Sequence, residues 1–281
     1  HIGFLDALGE VTSISGLSGS KYLTNKEVNR GVAEYRIREV GYEGGLNYEM
    51  ILQLKPDVVF AYGVGSEINA QVNKLQDLGI PVVLVGEYLE QSPLAKAEWI
   101  RFFGAFFGKE KLAMDVFAQI STNYNTIKAT VADERDKPAV LTGLPFKDTW
   151  WMAGGQSNLA MLINDAGGEF LWNENQSKEA FPVSLEEVFL RAAQADFWIN
   201  CGSVRTMDEL LAHDQRFSVL PAVMKSRVYN NNLRSTPDGG SDYWESGVVH
   251  PDLVLSDLVA IFHPQKAAGK DFYYYRKIVS E

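Results

Sequence analysis

Cysteine is nearly absent from this chain: among 281 residues there is only Cys201. No disulfide can close within it, so cysteine usage does not decide the redox compartment. Cys201 ends the apolar run "FWINC" with no histidine following nearby, the setting of a buried structural thiol rather than of a nucleophile. Basic residues are also short, 26 Lys and Arg against 36 Asp and Glu, for a formal charge of -10. That balance argues against nucleic acid or an anionic membrane as the main partner. No run of eighteen apolar residues is present, so no transmembrane helix is expected, and there is no cleavable signal pattern. The four histidines, His1, His213, His250 and His263, do not pair at metal-ligand spacing, and no built-in metal or resident cofactor is expected. Ser157 in "GGQSN" lacks the second glycine of a nucleophile elbow. Gly63 and Gly65 follow a strand but lack the third glycine of a dinucleotide fingerprint. There is no glycine-rich phosphate loop, and no carboxylate pair stands out as an acid and base. These absences leave no catalytic constellation.

What is present is core-forming material, 46% hydrophobic and 12% aromatic, ample for packed domains. Helix and strand signals alternate along the chain. "HIGFLDALG" has helical spacing and a glycine stop, "VTSISGLS" reads as a short strand, and "IPVVLVGEY" as a buried one. Between them "KYLTNKEVNRGVAEYRIREVGYEGG" reads as rich in loop. Near-continuous apolar strands between helices indicate parallel sheets covered on both faces, an α/β fold. The rhythm breaks at Lys109 to about Glu134, where Leu112, Val116, Ile120, Tyr124, Ile127 and Val131 form an amphipathic stripe with no breaker. A helix of about 25 residues spans roughly 37 Å, long for a crossover within one sheet and suited to a bridge between two lobes. The expected organisation is an N-terminal lobe over 1–108, the bridging helix over 109–134, and a C-terminal lobe over 135–281.

Two stretches echo one another. "LNYEMILQLKPDVVFAYG" and "VSLEEVFLRAAQADFWINCG" each run from a polar cap and a glutamate (Glu49, Glu186) through a short apolar helix, past an acid (Asp57, Asp196), into a hydrophobic run ending at glycine. Capped helix–strand units are common in α/β proteins, so the residues alone support a structural repetition. In open α/β sheets ligands bind beyond the carboxyl ends of the strands. The loops there carry Tyr22, Tyr62, Tyr88, Trp150, Trp151, Arg205, Asn231, Asn232, Arg234, Tyr243 and Trp244. Aromatics with a few amides and cations suit a bulky, partly planar or anionic ligand, with Arg234 and Arg205 as charge-assisted donors.

In order and spacing the chain resembles the substrate-binding proteins of ABC importers for iron–siderophore, haem and cobalamin. The resemblance rests on "LNYEMILQLKPDVVFAYG", "VNKLQDLGIPVVLV", "AEWIRFFGAFFGKEKLA", "GGQSNLAMLINDAGGEF", "VSLEEVFLRAAQADFWI" and "SGVVHPDLVLSDLVAIFHP", which together cover nearly the full length. It implies two Rossmann-like lobes with mainly parallel sheets, joined by a single long α-helix, with the ligand cleft between the lobes. It implies a monomeric, non-catalytic periplasmic protein that hands a metal chelate, a ferric siderophore first among the candidates, to an inner-membrane permease. Haem or cobalamin binding is the alternative on the same fold, and a two-lobed α/β enzyme is the alternative outside the class. The resemblance assigns Glu49 and Glu186 to salt bridges with permease arginines. Members of the family open with a strand that this sequence does not show before its first helix. The expectation is that the protein continues upstream of His1, where a lipoprotein cysteine would supply an anchor.

Overall fold

The computed structural model describes residues 1–42, 45–63, 66–147, 149–267 and 269–280; the side chains of Tyr42 and of residues 66–68 are outside that description. Val64 and Gly65 of the Gly-x-Gly pattern therefore fall outside it. The N-terminal lobe runs α1 (Ile2–Ala7), β1 (Gly16–Ser18), α2 (Lys26–Ala33), β2 (Arg38–Tyr42), β3 (Gly45–Leu46), α3 (Tyr48–Leu54), β4 (Val59–Ala61), α4 (Ser66–Asp77), β5 (Val82–Leu84) and α5 (Pro93–Phe106). The helix α6 (Glu110–Ala129) follows. The C-terminal lobe runs β6 (Ala139–Thr142), β7 (Pro145–Phe146), β8 (Thr149–Met152), α7 (Asn158–Asp165), β9 (Glu169–Phe170), β10 (Phe181–Ser184), α8 (Leu185–Ala192), β11 (Phe197–Ile199), α9 (Met207–His213), α10 (Pro221–Met224), β12 (Val228–Asn230), α11 (Asp242–Glu245), α12 (Pro251–Phe262) and β13 (Arg276–Lys277). Among the described residues no helix is long and apolar enough to cross a membrane.

The C-terminal sheet has the order β13-β12-β11-β6-β9, parallel except for β13. All three residues of β11 are buried. Behind them Trp198 packs edge-on to Phe217 at 5.0 Å and beside Trp150 at 5.7 Å. Each indole nitrogen finds a backbone acceptor, Trp198 at Gly143 and Trp150 at Thr142, so burying these polar groups carries no unsatisfied donor. The N-terminal lobe holds two smaller sheets, β1-β2-β3 and β4-β5, with the β1–β2 and β4–β5 pairs parallel. Here every residue of β4 is half-buried and Leu84 on β5 is exposed.

Helix α6 joins the lobes. Its Ala113 and Ile120 enter the N-terminal core, and Tyr124 enters the C-terminal core. The Tyr124 hydroxyl donates to Asp165 at 2.8 Å, and burial beside that carboxylate pushes the phenol well above its ordinary pKa. Asn123 donates to Asp252 on α12 at 3.0 Å. At 20 residues the regular helix is about 30 Å long, shorter than the uninterrupted stripe suggested. The expected stripe also needs adjustment: Leu112 is exposed, and its neighbour Ala113 takes the buried position against Gly104. Large side chains cannot enter that contact, because a Cβ at Gly104 would lie 2.7 Å from that of Ala113. The lobes meet again through the segment before α12, where Val249 is buried in the N-terminal core.

Two regions differ from the sequence reading. The stretch read as loop after Tyr22 holds α2 and β2. Asn25 caps α2 by accepting from the Val28 amide, and Val28 and Gly31 are its buried residues, too few for a clear stripe. The stretch "TWWM" is not a loop but β8, central in a small antiparallel sheet between β7 and β10; Asp148 before it lies outside the described residues.

Candidate functional site

Loops at the carboxyl ends of strands from both lobes converge. On the N-terminal side Tyr62 follows β4, and Glu87 and Tyr88 follow β5. Tyr62 is 63% exposed, and its ring lies 6.0 Å from Tyr88 and 5.8 Å from the His1 imidazole. The Tyr88 hydroxyl donates to the Gly63 carbonyl at 3.1 Å, which fixes one edge of this aromatic wall. Tyr22 stands on a single 3-10 turn, Ser20–Tyr22, held by Glu39, which accepts from the Gly19 and Ser20 amides.

On the C-terminal side the loop after β12 carries Arg234, and α11 carries Asp242, Tyr243, Trp244 and Glu245. Arg234 Nε donates to the buried carboxylate of Asp242 at 2.5 Å, and its guanidinium stacks on Tyr273 at 4.5 Å. Arg205, after β11, donates to Ser235 Oγ at 2.7 Å. Trp244 is 69% exposed and stands edge-on to Tyr243.

The two sides are clasped. Glu245 accepts from Thr24 N at 2.6 Å, Thr24 Oγ1 at 2.7 Å and Asn25 N at 3.1 Å. Thr24 Oγ1 also lies 3.3 Å from Asp242. Gly240 passes so close to the Tyr22 backbone that a Cβ there would sit 1.8 Å from the Tyr22 carbonyl oxygen. That approach admits only glycine. Tyr22, Tyr62, Tyr88, Arg205 and Arg234 thus stand on loops or 3-10 turns that follow strands, and Trp244 on α11; Tyr62 lies against Tyr88, and Gly240 against the Tyr22 backbone.

Four of the sequence candidates are buried: Asn231 and Asn232, each 6% exposed, and the aromatics Trp150 and Tyr243. Trp150 is wholly buried on β8, because alternation along a strand sends it inward and its neighbour Trp151 outward. Tyr243 is 7% exposed beneath Trp244, packed on Tyr274 and Tyr275, and burial pushes its phenol above the ordinary range. Neither offers surface to a ligand in this conformation. Trp151 is exposed, opposite Pro182 of β10. Arg234 is accessible but already neutralised by Asp242. Sequence reasoning missed the clasp: Asp242 and Glu245 flank "YW" in a stretch singled out only for its aromatics, and nothing local marks Thr24. Cys201 is fully buried, and burial raises its thiol well above the ordinary range.

Glu49 and Glu186 occupy matching places. Each lies in the first turn of its helix, α3 or α8, and is exposed. Each helix is capped by a side chain accepting from the amide three residues on, Asn47 from Met50 and Ser184 from Glu187. A helix preceding a parallel strand runs antiparallel to it, so both acids lie toward the carboxyl ends of β4 and β11, the end where the clasp forms. A cavity of about 570 Å³ lies at the other end of the C-terminal sheet, lined by Pro138, Asp196 and Arg227 just before β6, β11 and β12. It is no part of the interlobe site.

The model of the family described as periplasmic binding protein matches residues 1–231. The chain belongs to the periplasmic binding protein family. It is 25% identical over 99% of its length to an uncharacterized lipoprotein of Methanocaldococcus jannaschii, of which it spans 66%. It is 29% identical over 57% of its length to the vitamin B12-binding protein of Salmonella typhimurium, of which it spans 58%. Among solved structures, the periplasmic heme-binding protein RhuT from Roseiflexus sp. RS-1 superposes with a TM-score of 0.70 at 21% identity, covering 94% of this chain and 95% of that one. A possible iron-binding periplasmic solute-binding protein from Staphylococcus epidermidis gives 0.69 at 21% identity, covering 93% and 95%. At that identity these structures establish the two-lobed α/β fold and not the ligand.

Proposed function

We propose that this chain is the substrate-binding component of an ABC importer. It takes a metal chelate, a ferric siderophore first among the candidates, between its lobes in the periplasm and delivers it to an inner-membrane permease. The lipoprotein among its relatives is consistent with attachment through an anchor. The observation that carries the reading is the repetition of α3 and α8. Each lobe exposes one glutamate at the cleft end of an equivalent capped helix, a geometry for two-point docking on a partner with a cation facing each lobe. The aromatic wall of Tyr62, Tyr88 and Trp244 supplies flat apolar surface, and an iron already chelated needs no protein ligand. The connections between the lobes, among them α6, the clasp and the buried Val249, suit small tilting rather than wide hinge closure.

Replacing both glutamates, Glu49→Gln with Glu186→Gln, is expected to abolish transport while chelate affinity, read by tryptophan fluorescence, stays unchanged. Wild-type transport by the double variant would overturn the docking assignment. Haem is the second reading, favoured by the exposed Tyr62 phenol beside Tyr88 and the His1 imidazole, oxygen and nitrogen donors on one face.

A further inference from the structure

The clasp contains a competition for one proton. Thr24 Oγ1 lies within reach of two carboxylates, 2.7 Å from Glu245 and 3.3 Å from Asp242. A hydroxyl has a single hydrogen to donate, and the shorter distance gives it to Glu245. Asp242 is buried, and its charge is met from the other side by Arg234 Nε at 2.5 Å. Among the described residues no other group donates to that carboxylate. Arg234 thus leaves Thr24 to Glu245, although its own partners, Asp242 and the Tyr273 ring, both belong to the C-terminal lobe. A cation in one lobe thereby governs a bond between the two. The Arg234 side chain is half-exposed, and only its Nε donates a hydrogen bond among the described residues, so the terminal nitrogens are open to an anion. The backbones around the clasp also touch, Gly240 against Tyr22 and Gly3 against the Glu245 carbonyl, so losing the side-chain bond loosens this joint without parting the lobes.

We propose that Arg234, Asp242, Thr24 and Glu245 form an interlobe latch with Arg234 as its control point. A carboxylate or other oxyanion that takes the Arg234 guanidinium leaves Asp242 to compete for the Thr24 proton, and the bond to Glu245 loosens. Two carboxylates then contend for one hydroxyl while repelling each other. The coupling is reciprocal: an anion that loosens the latch binds more tightly once the latch is loose. The device needs no particular cargo, so it stands or falls apart from the chelate reading.

The test is amide hydrogen exchange of the whole chain, followed by NMR at fixed pH. The Thr24 and Asn25 amides donate to Glu245, so their protection reads the latch directly. The Met50 amide, which donates to Asn47 elsewhere in the same lobe, is the reference. Thr24→Val is expected to lower Asn25 protection about fivefold, the worth of one hydrogen bond, and Thr24→Ser to keep it. Arg234→Gln is expected to lower protection at both Thr24 and Asn25 by about the same factor, with Met50 unchanged. Adding Asp242→Asn to Arg234→Gln removes the competing charge and is expected to return both amides to wild-type protection. Sodium citrate is expected to lower protection at both amides of the wild type, saturably and beyond sodium chloride of equal ionic strength. Wild-type protection of Asn25 in Thr24→Val overturns the latch. Wild-type protection of both amides in Arg234→Gln, or a loss that Asp242→Asn does not reverse, overturns control by Arg234. Citrate that acts no differently from chloride overturns the anion as the trigger.

Discussion

The two echoing units, α3–β4 and α8–β11, begin alike and end in different surroundings. Both helices are capped by a short polar side chain and carry an exposed glutamate in the first turn. Yet β11 lies between two parallel neighbours, β6 and β12, and is wholly buried, whereas β4 among the described residues pairs with β5 alone and is half-buried throughout. The contrast extends to polar groups. Among the described residues the buried polar ones, Thr142, Asn230, Asn231, Asn232, Asp242, Asp252, Asp257 and His263, all belong to the C-terminal lobe. A strand's sequence sets what it can bury; its neighbours set how much it does bury. The C-terminal lobe is thus the more deeply packed half, and it holds polar side chains at depth.

The largest effect that could break this comparison comes from the strands. Trp198→Ala in β11 is expected to cost about 4 kcal/mol in urea unfolding, and Phe60→Ala in β4 about half as much. Phe60 packs on Phe103 and Phe106 but keeps solvent on one side. Equal losses would mean that β4 is as well covered as β11.

The next effect sharpens the polar side of the contrast. Asp257 on α12 accepts from the Tyr273, Tyr274 and Tyr275 amides, yet burial outweighs those bonds and raises its pKa above the ordinary carboxylate value. The folded state therefore holds this proton more tightly than the unfolded state. In the window between the ordinary and the raised value, the Asp257 contribution grows as pH falls and is lost as pH rises through the folded value. The stability difference between wild type and Asp257→Asn should slope accordingly with pH. A difference that is flat across acid titration would remove the case for a strained buried carboxylate.

The smallest effect tests where the two units are alike. Asn47→Ala and Ser184→Ala should each cost about 1 kcal/mol, since a cap acts locally whatever lies beyond the helix. A much larger loss at Ser184 would show that the C-terminal surroundings reach into the cap itself.

Alternation, glycine stops and the breaker-free run after Lys109 made the two-lobed α/β plan legible, because these patterns reflect local backbone physics. The glutamates were legible as a repeated unit. Residues chosen for loop composition differ in burial. Tyr62, Tyr88 and Trp244 are exposed, but Trp150 and Tyr243 pack inward, since a strand or short helix splits adjacent aromatics between its faces. The stretch "TWWM" has an aromatic pair with no alternation to betray β8. Arg234 read as a free donor because its partner Asp242, eight residues on, becomes adjacent only when the loop folds back.

By itself the sequence determined the class of fold, the long bridge and the two capped helices that each carry a first-turn glutamate, each written in residues close along the chain. Only the tertiary structure decided which aromatics stay exposed, that Glu245 clasps Thr24 across more than two hundred residues, and that Arg234 is paired with Asp242. The physical reason is that periodicity and capping are local, whereas charge pairing and burial depend on which distant segments the fold brings within a few ångströms.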